Sequence, residues 1–173
     1  MKIQSPVELL VHELSAIRDA ETQASQALQR QLPMVETDEL RQFLELRLEQ
    51  GKRLLQEVTQ SVERLGGSPK GEQNAAARGL IEESQKLVEM AQTPELKQVV
   101  MIAGVQKLEH YCIAAWGTVK AIANELGQQE LVHTMQNAVD EGYRLDRELS
   151  DLAESWVNPT AIEEADQAEG GKK

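Results

Sequence analysis

Charged side chains interrupt or flank apolar stripes of helical period, where burying an ionised group is costly. The acidic ones are Glu21, Glu109 and Glu141, and Arg47 interrupts a further stripe that contains Leu44 and Leu54. Carboxylates that meet inside a protein core are paired with cations, share protons or bind metal ions. These residue types therefore permit two kinds of chemistry, a metal centre or a buried ion-pair network.

The spacing predicts that these charged residues lie at similar depths in a helical bundle. From the turn near residue 35, Glu21 is 14 residues back and Arg47 is 12 residues forward. From the turn near Gly127, Glu141 is 14 residues forward and Glu109 is 18 residues back. At a rise of about 1.5 Å per residue, most of them fall within about one helical turn of a common layer.

The composition excludes several function classes. The 173 residues carry 18 Lys+Arg against 29 Asp+Glu, a net charge of −11, so neither nucleic acid nor an anionic membrane is expected as the partner. Only 3% of residues are aromatic, which speaks against a sheet protein, and one cysteine makes no internal disulfide. The start of the chain lacks the apolar stretch of a signal peptide, and no run approaches the ~18 apolar residues of a membrane span. We expect an all-α, cytoplasmic protein.

Prolines and capping residues divide the chain into helices. The predicted helices lie near 6–32, 38–65, 73–91, 95–126 and 128–156. Ser5, Thr37 and Thr93 are the predicted N-caps, and Gly66 and Gly127 are predicted to end helices in the left-handed conformation. Residues 1–156 are expected to form one bundle domain. Residues 157–173 are expected to form an acidic, disordered tail, because their apolar content is low.

Three sequence blocks carry a resemblance to a known family. They are Asp19-Ala20-Glu21, the run from Glu109-His110-Tyr111-Cys112 to Trp116-Gly117, and Asp140-Glu141, and the loop Leu65–Gly71 fits the same pattern. The chain resembles, over roughly residues 7–153, the ferritin-like bacterial stress-response family typified by YciE and YciF. The resemblance implies a ferritin-like up-down four-helix bundle with one additional short helix, often dimeric. It also implies a carboxylate-rich site for two metal ions. Because the family is often dimeric, we expect a homodimer. The sequence identifies no other protein partner.

The family's ligand pattern is only partly kept. It is matched at Glu21, Glu109 and Glu141, with Asp146 near the last of these. Three expected ligands are changed: a His and a Glu of helix two fall on Arg47 and Gln50, and a second Glu of the long third helix falls on Cys112. The candidate metal ligands are therefore Glu21, Glu49, Glu109 and Glu141, with Gln50, Cys112, His110 and Asp146 as weaker candidates. Glu49 is rotated by about 100° from the expected position on helix two.

Two hypotheses follow. In the first, Arg47 occupies the carboxylate core and neutralises it in place of metal, and the protein acts by binding or assembly in a stress response. In the second, iron or manganese is bound, with an oxidase, peroxide-scavenging or storage role. No nucleotide loop, hydrolase triad or zinc motif points to another activity.

Overall fold

The computed structural model describes residues 2–68 and 73–170, and these are almost entirely helical, with no strand among them. Six α-helices follow one another: α1 Pro6–Gln31, α2 Asp38–Arg64, α3 Ala75–Met90, α4 Pro94–Glu125, α5 Gln129–Leu152 and α6 Asn158–Gly170. A 3₁₀ turn, Leu32–Met34, precedes α2, and a π-helical turn, Ala153–Val157, joins α5 to α6. The predicted all-α bundle is confirmed. The bounds of its first five helices lie within two residues of the predicted ones, except that α5 ends at Leu152 instead of near residue 156. Residues 69–71 of the family-like loop lie outside the described residues.

Helix ends follow the local chemistry with one exception. Ser5 Oγ accepts from the backbone N–H of Glu8, and Thr93 Oγ1 accepts from that of Leu96, so both are side-chain caps. Gly66 and Gly127 adopt φ values of +77° and +68°, which only glycine reaches without strain. Thr37 precedes α2 but makes no side-chain capping bond. Its backbone N–H donates instead to Gln98 Oε1 at 3.0 Å, which ties the start of α2 to the start of α4.

The four long helices form a ring in the order α1, α2, α5, α4, in which every neighbour is antiparallel. The short connections after α1 and α4 make two hairpins. The Thr37–Gln98 bond joins the hairpins at one end, and an ion pair between Arg64 and Glu130 joins α2 to α5 at the other. Two contiguous apolar clusters fill the ring, one toward each end. The charged cluster described below lies inside this ring.

The additional helix α3 lies in the long crossover between the hairpins and packs on α1 and α4. Asn74 fixes its start by capping Ala77 N–H, while its own backbone N–H donates to Asp19 Oδ2 at 2.6 Å. Its side-chain amide also donates to the Tyr111 hydroxyl at 2.8 Å. Tyr111 of the Glu-His-Tyr block therefore has a structural role: it secures the crossover to α4.

Where a disordered tail was expected, the described chain continues as helix to residue 170. Val157 and Ala161 are buried, and α6 contacts α4. These two small apolar side chains are one helical turn apart and so lie on the same face of the segment. Residues 171–173 of the expected tail lie outside the described residues, and a domain boundary at 156 stays a prediction. None of the described helices is both long and apolar enough to cross a membrane.

Candidate functional site

A buried ion-pair cluster joins three helices at the centre of the ring. Arg47 of α2 donates through Nη1 and Nη2 to the two carboxylate oxygens of Glu21 on α1, at 3.0 and 3.2 Å. Its Nε donates to Glu109 Oε2 on α4 at 2.6 Å. The three residues are 3%, 0% and 1% exposed, so the cluster is shielded from water. This is the fork geometry in which a guanidinium binds carboxylates most strongly.

The carboxylates keep the guanidinium charged. Burial by itself would lower the pKa of Arg47, but Glu109 and Glu21 outweigh it and hold the pKa well above its ordinary value. The indole ring of Trp116 adds to this, since Arg47 Cζ lies 5.7 Å from the ring centroid, within range of a cation–π contact. Arg47 is therefore a permanent positive charge in the core.

Glu109 is the member of the cluster whose bonding is incomplete. Its Oε1 is buried and has no hydrogen-bond partner among the described residues. Burial raises the pKa of Glu109, and Arg47 offsets only part of that increase. With two carboxylates and one guanidinium, the cluster has one unbalanced negative charge. A proton on Glu109 Oε1 would bring the formal charge of the cluster to zero.

Glycines make room for the cluster on two sides. A Cβ at Gly51 of α2 would lie 3.1 Å from Arg47 Nη1 and 3.2 Å from Glu21 Oε2. A Cβ at Gly142 of α5 would lie 2.9 Å from both Glu109 Oε1 and Trp116 Cζ3. Close approach of α5 to α4 therefore depends on the missing side chain at position 142.

Gly142→Ala is expected to lower the free energy of unfolding by about 1–3 kcal/mol, because the added methyl overpacks the space beside Glu109 and Trp116. Gly117→Ala, on α4, is the matched control: a Cβ there meets nothing within 4 Å. That change is expected to stabilise by up to about 1 kcal/mol through helix propensity. Urea unfolding followed by circular dichroism measures both. Equal effects of the two substitutions would contradict the close approach at Gly142.

Cys112 lies in the core beside this cluster, 2% exposed. Burial, with the nearby carboxylate of Glu21, raises the pKa of its thiol well above the ordinary value. A protonated thiol is a poor metal ligand and a poor nucleophile. Cys112 therefore acts as a small core residue in this arrangement.

Glu141 is not brought to the cluster, which corrects the expectation that it would meet Glu21 and Glu109. Its carboxylate pairs with Arg53 on α2, at 3.0 and 3.2 Å from Nη2, and is a third exposed. The physical reason is its place beside Gly142. Since Gly142 faces α4, the neighbouring residue is turned by about 100°, toward the seam between α2 and α5.

The other sequence candidates are dispersed. Glu49 is exposed and pairs with Lys52 on the surface. His110 is exposed and lies 3.2 Å from Asp146 Oδ2, and Asp146 Oδ1 also accepts from Gln106. Gln50 is buried, and its amide nitrogen has no acceptor among the described residues.

The side chains present at this layer do not fit a two-metal carboxylate site. Such a site takes carboxylates from all four helices, with histidines from two. Here α1 and α4 each supply one carboxylate, α2 supplies a guanidinium, and α5 supplies a glycine. Both oxygens of Glu21 already accept from Arg47. Within residues 2–68 and 73–170, no group of three or more His, Cys, Asp or Glu is arranged to hold a metal ion.

Sequence reasoning missed the parts of the site that depend on packing. The contact of Trp116 with Arg47 and the cradles at Gly51 and Gly142 were not foreseen. A signal for the glycines was present, since each stands in an apolar stripe at the level of a buried charge.

The fold and the cluster together define a class: a helical-bundle protein with a short added helix and an ion-paired core. The family model described as a domain of unknown function (DUF892) matches residues 5–162 of the chain. The chain belongs to this family.

Relatives and solved structures agree with that assignment. The chain is 30% identical over 166 residues to protein YciF of Escherichia coli strain K12, covering 95% of this chain and all of that protein. The crystal structure of the E. coli stress protein YciF matches with a TM-score of 0.83 at 29% identity, covering 90% of this chain and 99% of that one. YcfI from Rhodopseudomonas palustris, to which a structural role is ascribed, matches with a TM-score of 0.81 at 30% identity, covering 86% and 95%. The resemblance to the family typified by YciE and YciF is confirmed.

Proposed function

We propose that this protein is a stress-associated bundle protein whose core carries its own cation instead of metal, and that it acts by binding or assembly, not by turnover. The observation that carries the proposal is the set of three hydrogen bonds that Arg47 donates to Glu21 and Glu109. A fixed guanidinium neutralises one of the two carboxylate charges and repels a divalent ion. The description of the E. coli relative as a stress protein supports the biological setting.

A metal-retention measurement tests this proposal. The protein is incubated with Mn(II), or anaerobically with Fe(II), then desalted and subjected to elemental analysis. We expect far less than one equivalent per chain, and a melting temperature that the metal leaves unchanged. A matched positive control restores the family's ligand pattern through Arg47→His, Gln50→Glu and Cys112→Glu, and is expected to retain metal. Retention of one or more equivalents on the unaltered protein would overturn the proposal.

A second candidate function is an iron- or manganese-binding protein with oxidase, peroxide-scavenging or storage chemistry. The observation on its side is Glu109 Oε1, a buried carboxylate oxygen with no partner among the described residues. In that case Glu21 and Glu109 would hold the ion after Arg47 moved away. The same retention measurement decides between the two.

The proposal includes a homodimer in the cytoplasm, as in the family pattern. Sedimentation equilibrium of the full chain measures the oligomeric state, and a monomer at micromolar concentration would remove this part of the proposal.

A further inference from the structure

The seam between α2 and α5 is open, unlike the seam on the opposite side of the ring. There, α3 covers the groove between α1 and α4. Between α2 and α5 lies a cavity of about 390 Å³, which continues along the same two helices into cavities of about 90 and 380 Å³. Surface ion pairs cross this groove at Arg53–Glu141 and at Arg64–Glu130. The groove is therefore a solvent-accessible cleft in the bundle wall.

A buried donor without an acceptor lines the floor of this groove. Gln50 lines both the 390 Å³ and the 90 Å³ cavities and is only 7% exposed. Its Nε2 has no acceptor among the described residues. A buried amide that lacks a partner costs about 1–3 kcal/mol, so an acceptor from outside the chain would relieve it. The group that would satisfy this donor is an oxygen acceptor of a bound ligand.

Two exposed arginines stand at the rim of the same cavity. Arg144 makes no ion pair or hydrogen bond within the described part of the chain, so its donors are available. Arg53 is 61% exposed and holds Glu141 through Nη2 alone. Because a surface pair is worth about 0–1 kcal/mol, Arg53 can be redirected at little cost.

The other charged residues of the cavity are of both signs. Arg47 also lines the cavity, but Glu21 and Glu109 accept its hydrogen bonds and together carry one more negative charge than it balances, so it adds no net positive charge here. Glu148 and Glu141 also line the cavity, and Glu141 forms an ion pair with Arg53. A cation would face two rim arginines and an amide donor, whereas an anion finds donors on the floor and on both walls.

We infer that the groove between α2 and α5 binds a small oxyanion, a carboxylate or phosphate group, held between Gln50 Nε2 and the guanidinium groups of Arg144 and Arg53. This site gives the proposed binding role a ligand class, and it rests on that proposed function only in taking Arg47 as a resident cation. At the two positions of helix two where the family pattern has His and Glu, this chain has the hydrogen-bond donors Arg47 and Gln50. The seam is therefore suited to a negative group where metal ligands were expected.

Nuclear magnetic resonance titration of the full chain tests the inference. Sodium acetate and sodium phosphate are added in separate series, with sodium chloride at matched ionic strength as the blank. We expect the Gln50 side-chain amide resonances, assigned by their loss in Gln50→Leu, to shift and saturate with at least one anion. Saturation with acetate alone identifies a carboxylate, and saturation with phosphate identifies a phosphate group. No saturable shift with either anion would overturn the inference.

Two arginine variants separate a specific site from a general charge effect. Arg144→Gln is expected to raise the dissociation constant about tenfold, since it removes a charge-assisted hydrogen bond. Arg147→Gln removes the same charge from the exposed face of α5 outside the cavity, and is expected to leave binding unchanged. Equal weakening by both would show diffuse attraction and overturn the site. Failure here would leave the metal-retention result untouched, so the two proposals fail separately.

Discussion

Arg47→Leu is expected to lower the free energy of unfolding by about 3–5 kcal/mol at neutral pH. The substitution leaves Glu21 and Glu109 buried with no cation to replace the three guanidinium bonds. Urea unfolding followed by circular dichroism measures the change. Arg53→Leu is the matched control on the same helix: its pair with Glu141 is largely exposed, so the expected change is below about 1 kcal/mol.

The pH dependence of the Arg47→Leu deficit tests its cause. Burial raises the pKa of Glu109, and without the guanidinium nothing in the cluster offsets that increase, so Glu109 binds a proton more readily in the folded state than in the unfolded chain. The variant's stability therefore rises as the pH falls from 7 toward 5, and its deficit shrinks. Removing the carboxylates as well, through Glu21→Gln and Glu109→Gln, is expected to recover much of the loss. A deficit that is equal at both pH values would show that uncompensated charge is not its source.

Trp116→Ala is expected to cost about 3–5 kcal/mol. Trp116 is completely buried, and its ring lies against both Arg47 and the Gly142 side of α5. The chain's other tryptophan provides the control, since Trp156 is 58% exposed and its replacement by alanine is expected to change stability by less than about 0.5 kcal/mol. Far-UV circular dichroism in urea measures both variants, because fluorescence would lose its reporter.

A phenylalanine at position 116 separates ring packing from hydrogen bonding. The indole nitrogen of Trp116 is buried without a partner among the described residues, so Trp116→Phe loses no hydrogen bond and keeps an aromatic face toward Arg47. We expect a clearly smaller loss than for alanine. A loss as large as that of alanine would mean that the indole nitrogen contributes a bond.

The helices were predictable because residues at or next to their ends determine where each helix begins and stops. Ser5 and Thr93 cap as expected, and Gly66 and Gly127 take the left-handed conformation. Thr37 shows the limit of this reasoning: the residue that satisfies its N–H is Gln98, which is 61 positions away along the chain. Local patterns cannot identify a partner that only the tertiary fold brings near.

Counting residues from the turns placed Glu21, Arg47 and Glu109 at one level, because the rise of a helix is nearly constant. The same count placed Glu141 at that level, yet its carboxylate lies at the α2–α5 seam. Depth along a helix follows from sequence, whereas rotation about the helix depends on how close the neighbours come, here through Gly142. The open groove and the unpartnered amide of Gln50 were likewise beyond prediction, since both depend on the separation of α2 from α5.

The guanidinium at the centre of the bundle is covalently part of α2. Its stoichiometry is therefore set at translation, one per chain, with no loading step and no dependence on the cell's supply of any cofactor. A chelator cannot remove it and starvation cannot deplete it. The positive charge that pairs with Glu21 and Glu109 is therefore in place as soon as the bundle folds.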